Sequence, residues 1–246
     1  MISPPTLGAL VEMGSSLVAE IGDTDCEELG AGSLVQPVNA ITSFAYVVVG
    51  VVVAVVAIRR DRQRTESLVF AVLLAAIGLG SVAFHGPQPT GARLMHDLPI
   101  LLTALFMLVH DLRLLRPGLT RWAFPAAAVV ATVLAAVSAD AGVAATGVVL
   151  VAVGLVEVVV YRRRLRPIQP GRQRRWAIAI AVIVAVGGAS WLLGRTDSPV
   201  CDPDGVFQFH GLWHLVSAIA FGAWWFLAIG APNPNPPGSD LEDSGS

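Results

Sequence analysis

The chain has 246 residues, 54% of them apolar and only 14% charged, with a mean hydropathy of +0.68. A soluble domain of this length needs far more charge to cover its surface, so composition excludes that class and points to an all-α, polytopic membrane protein. The net charge of −2 excludes little, because the charges are segregated along the chain.

The first segment, residues 1–34, reads as an extracytoplasmic N-terminal segment, with a short interfacial helix over 4–20. It does not resemble a cleaved signal peptide: Met1 to Gly22 has no positive start, and Glu12 and Glu20 interrupt its apolar residues. A helix crossing a hydrocarbon core of roughly 30 Å needs about 20 apolar residues. Seven runs qualify, over 35–58, 66–85, 94–112, 122–139, 142–161, 176–194 and 208–230. Short connectors join them, so neighbours should pack antiparallel. The tail from Ala231 is rich in Pro, Asn, Gly, Ser and acids and is expected to be disordered.

Arginine sets the orientation. All 16 basic residues are arginine, a usage that fits a GC-rich genome. The 59–65 connector carries Arg59, Arg60, Arg62 and Arg64, and the 113–121 connector carries Arg113, Arg116 and Arg121. The 162–175 connector carries seven more, leaving only Arg93 and Arg195 on the opposite side. The positive-inside rule then predicts an outer N-terminus and a cytoplasmic C-terminus. The arginine clusters read as topogenic signals, not as a nucleic-acid surface. Trp122, Trp176 and Trp191 fall at helix ends, as interfacial anchors should.

This topology leaves Cys26 and Cys201 both outside, where they could bridge or remain two free thiols. Ionisable residues within spans are costly and point to function. Here they gather at one level. Ser81 and His85 lie four apart near the outer end of the second span, so they share a face. His96 and Asp97 lie near the outer end of the third. His210 and His214 are again four apart, in the first turns of the seventh. Three histidines from two helices, His85, His210 and His214, suit zinc. Zinc with three protein ligands keeps an open position for water, whose pKa it lowers toward about 7. Asp97 would orient that water and carry its proton, and Ser81 would hydrogen-bond the developing oxyanion. His96 adjoins Asp97 but should point away from it. His110 and Asp111, near the cytoplasmic end of the third span, read as surface groups, and Glu157 as a partner for Arg162 or its neighbours.

Several fragments together resemble the alkaline ceramidases and their wider superfamily. These are Asp25-Cys26-Glu27-Glu28, Gln36-Pro37-Val38-Asn39, Gly80-Ser81-Val82-Ala83-Phe84-His85, His96-Asp97-Leu98-Pro99 and Phe209-His210-Gly211-Leu212-Trp213-His214. That superfamily also holds adiponectin-receptor-like proteins and enzymes that remodel GPI lipid anchors. The resemblance implies a seven-helix membrane hydrolase with zinc on His85, His210 and His214, Asp97 beside the water and Ser81 assisting. It further implies a Cys26–Cys201 disulfide and, as substrate, the amide bond of a ceramide-like membrane lipid. In animal alkaline ceramidases acidic and amide groups around the first cysteine hold calcium. Here Glu27 matches one such position, Gln36 falls where an acid is expected, Leu29 where an amide is expected, and Asp25 replaces the flanking tryptophan. The candidate calcium set is therefore Asp23, Asp25, Glu27 and Glu28. Two other functions fit the same histidines: an ester hydrolase of phospholipids or lipid anchors, and a non-catalytic haem-binding or receptor-like bundle.

Overall fold

The computed structural model describes residues 21–60, 63–166 and 170–230. The interfacial helix expected over 4–20 and the disordered tail expected from Ala231 lie outside the described residues. The described chain is helical because long Ala/Val/Leu runs offer no polar partner in hydrocarbon, so each segment must satisfy its own backbone. A short helix α1 (Pro37–Thr42) and α2 (Phe44–Arg60) meet at Ser43 and together make one apolar stretch, Pro37–Arg59. Then follow α3 (Arg64–His85), α4 (Ala92–Leu115), α5 (Ala123–Val137), α6 (Ala139–Arg162), α7 (Pro170–Leu193) and α8 (Phe209–Trp225). A π-helical turn, Phe226–Gly230, extends α8.

Six of the seven expected spans are long and apolar enough to cross a membrane. The exception is α5, whose 15 residues rise only about 22 Å. Its expected range, 122–139, is cut short where the chain turns at Ser138. That residue leaves the helical region and its hydroxyl accepts the N–H of Ala141, capping α6.

Helix α3 lies at the centre, packed between α2 and α4, while α4 also packs on α5 and α6. Helix α8 packs on α7 and α2, and α1 wedges against both α3 and α8. Close approach is decisive at Gly80, where any Cβ would collide with the carbonyl of Met95. Only glycine lets the end of α3 and the start of α4 come this near, one residue before Ser81.

The arginine-rich connectors gather at one end of the bundle. Arg113 Nη1 lies 3.1 Å from Glu66 Oε1, joining the end of α4 to the start of α3. Arg166 Nη2 lies 2.8 Å from Asp111 Oδ1 and 2.6 Å from Glu157 Oε1, and Trp224 Nε1 donates to the same Glu157 oxygen. At the opposite end Arg93 contacts Asp140, 3.4 Å away, at the start of α6. Helix α5 therefore runs between the two ends despite its length.

This buried network corrects the surface role expected for His110 and Asp111. Asp111 is fully buried, and His110 is buried with Nδ1 3.3 Å from Glu66 Oε2. Helix α4 continues to Leu115, so Asp111 still faces neighbouring helices where Arg166 folds back to neutralise it. Glu157 meets Arg166, one of the expected neighbours, in place of Arg162. Breaking such a buried pair from one side costs about 3–5 kcal/mol. Arg166→Met should therefore lower the thermal midpoint sharply in lipid nanodiscs, and adding Asp111→Asn should recover part of the loss. An unchanged midpoint in the single variant would show that the pair does not hold this end of the bundle together.

Candidate metal centre

The three predicted ligands meet. His85 ends α3, while His210 and His214 occupy the first two turns of α8 on one face. All three are buried, and they offer ligand atoms that lie within 4.8 Å of one another. Their ring centroids are 4.7 to 5.2 Å apart. Among the described residues, no other group of three or more His, Cys, Asp or Glu side chains gathers in this way.

Residues near the N-terminus orient the rings. Gln36 Nε2 donates to the carbonyls of Gly22, at 3.0 Å, and Glu27, at 2.7 Å. Its Oε1 therefore faces His85 Nδ1, 2.7 Å away, which must be the donor. The other nitrogen, His85 Nε2, is buried without any hydrogen-bond partner. His214 Nδ1 lies 3.1 Å from the carbonyl of Asn39, an acceptor only, so Nδ1 carries the proton and Nε2 is left free. Buried polar atoms are almost always paired. An orphaned imidazole nitrogen inside a three-histidine cluster is the arrangement that a metal ion satisfies, with outer oxygens fixing each tautomer.

Ser81 belongs to the same network. Its Oγ is 2.8 Å from Ser43 Oγ, which donates to the Asn39 carbonyl at 2.7 Å and so accepts from Ser81. Ser43 Oγ and Thr42 Oγ1 lie 3.3 and 3.2 Å from His214 Nδ1. Asp97 is held differently. Its Oδ1 lies 2.7 Å from His96 Nδ1 and its Oδ2 3.8 Å from Arg93 Nε. His96 does not point away from Asp97, as expected for consecutive helical residues. At the start of the second turn of α4 its ring bends back to the carboxylate and lies 5.9 Å from that of His85. Asp97 thus reaches the histidine cluster only through His96.

The four calcium candidates do not form one oxygen cage. Glu27 is buried and both its carboxylate oxygens accept backbone N–H groups, Val38 at 2.7 Å and Asn39 at 2.8 Å, capping α1. Burial raises the pKa of Glu27, and these two N–H groups oppose the rise. Asp23 and Glu28 are exposed. Asp25 turns inward to the histidines, and burial pushes its pKa up to about 6, against the pull of Arg195. The amide of Gln36, at the expected acid position, is spent on two carbonyls and His85.

Cys26 and Cys201 form a disulfide, with Cα atoms 5.5 Å apart. Backbone bonds lace the same strands together: Cys26 N to the Gly194 carbonyl at 2.8 Å and Thr196 N to the Thr24 carbonyl at 3.1 Å. Sequence reasoning missed Thr42 and Ser43 altogether, and it named Gln36 and Asn39 without seeing that they hold the histidine rings. Their signal was a run of polar residues at the start of an otherwise apolar span, with Asn39 and Ser43 four apart.

A helical bundle able to cross a membrane six times, with a buried three-histidine cluster at one end, defines a polytopic membrane protein with a candidate metal centre. Residues 33–231 match the sequence model of the ceramidase family, and the chain belongs to that family. No curated protein matches the chain.

Proposed function

We propose that the protein is a zinc-dependent intramembrane amidase that hydrolyses ceramide or a ceramide-like N-acyl lipid to a fatty acid and an amine. The carrying observation is the buried convergence of His85, His210 and His214, together with family membership. Zinc held there would supply an activated water and polarise the acyl carbonyl.

The chain's own groups would do the rest. Ser81 would swing its hydroxyl from Ser43 to the substrate oxygen and stabilise the charge that develops there. Asp97 and His96, already hydrogen-bonded, would form the pair that receives a proton and passes it to the leaving amine. Gln36 and Asn39 hold two imidazoles in the tautomer that leaves Nε2 toward the metal. The lipid would enter sideways from the outer leaflet, because the positive-inside rule puts the arginine-rich end in the cytoplasm. That orientation requires α5 to cross, which a short helix does by thinning the bilayer locally. Ring centroids about 5 Å apart leave no room for a macrocycle between the histidines, which argues against haem.

The test is fatty-acid release by the purified protein from a matched panel of acyl amides and acyl esters. Release from N-acyl sphingoid lipids is expected. Release from esters alone would replace this reading with an ester hydrolase of phospholipids or lipid anchors.

A further inference from the structure

One carboxylate touches the histidine cluster directly, and it comes from outside the bundle. Asp25 Oδ1 lies 3.2 Å from His210 Nδ1, and Oδ2 lies 4.0 Å from His85 Nδ1. The Asp25 side chain is only 5% exposed. The contact with His210 is set off the line of a hydrogen bond, and Nδ1 has no other partner. The other two rings each hold an oxygen on Nδ1, from Gln36 and Asn39, so Asp25 occupies the equivalent place on the third.

Asp25 is also firmly placed. Its N–H donates to the Gly22 carbonyl at 3.0 Å, and its backbone forms an antiparallel bridge with Arg195. Arg195 Nη1 lies 3.2 Å from Oδ1, and the adjoining Cys26 is tied to Cys201. Asp97, by contrast, is engaged by His96 and Arg93.

Resting on the metal-centre reading above, we propose that Asp25 is a positioning residue of the metal site. Its carboxylate holds the His210 imidazole from the outer side and increases its strength as a ligand. A carboxylate behind a metal-bound histidine fixes the ring and raises its basicity. The N-terminal segment is thereby an integral part of the metal site.

The test compares wild type, Asp25→Asn, Asp25→Glu and Asp23→Asn, an exposed control two residues away. Zinc affinity is measured by competition with a chelator, and the visible absorption bands are recorded for each protein loaded with cobalt(II). Asp25→Asn should bind zinc about 10–100-fold more weakly and shift the cobalt bands. Asp25→Glu should recover part of both effects, and Asp23→Asn should match wild type. A thiol count showing the disulfide intact excludes collapse of the N-terminal segment. Wild-type affinity and bands in Asp25→Asn would overturn the inference while leaving the metal centre standing. A wild type that binds neither ion would overturn the metal centre, and this inference with it.

Discussion

His214→Ala should bind little zinc and lose lipid-hydrolysing activity by about a thousandfold or more, with helix content unchanged. The size follows from what a metal ion contributes to such chemistry. Several kcal/mol of transition-state stabilisation are at stake, and about 4 kcal/mol corresponds to that factor. Of the three candidate ligands, His214 has the most polar neighbours, with Asn39, Thr42 and Ser43 all around Nδ1. Truncating it removes one of three ligands and leaves a pair that cannot define the site. The bundle should survive, because α8 also packs through Ser217, Ala218, Trp224 and Trp225. Far-ultraviolet circular dichroism and metal analysis on the same sample check both halves. Retained activity in a well-folded, metal-free variant would remove His214 from the chemistry.

The second large effect concerns the disulfide. Replacing Cys26 and Cys201 by serine should weaken zinc binding and activity at least tenfold and lower thermal stability. The bridge closes a separation of 175 residues, and native disulfides contribute about 2–5 kcal/mol. The lower part of that range applies here, because membrane-inserted helices leave the unfolded chain less entropy to regain. The functional loss has a more local origin. Cys26 is flanked by Asp25 and Glu27, and Glu27 caps α1 while its carbonyl helps aim Gln36 at His85. Freeing this segment loosens the support of two candidate ligands at once. A serine pair with unaltered metal affinity would show that the backbone lacing alone holds the segment.

Much of this architecture is legible in the sequence. Run lengths mark the helices, six of them long and apolar enough to cross a membrane, and the four-residue spacings of Ser81 with His85 and His210 with His214 mark the site. These readings succeed because each depends on local periodicity. Three features depend on long-range folding and escape it. Asp111 looks solvated beside Arg113 and Arg116, yet Arg166 returns from beyond α6 to meet it in the interior. Asp25 looks like a calcium candidate beside its acidic neighbours, yet the Cys26–Cys201 bridge and Arg195 turn it onto His210. Gln36 looks like an amide standing where a calcium-binding acid is expected, yet its fully used side chain fixes the tautomer of His85. In each case one polar residue is defined by a partner far along the chain.

The most direct test of the central claim is the zinc content of the purified, unmutated protein by elemental mass spectrometry after exhaustive removal of loosely bound metal. The arrangement of His85, His210 and His214 predicts about one zinc per chain. Zinc at background level, in protein that is folded and disulfide-bonded, would contradict it.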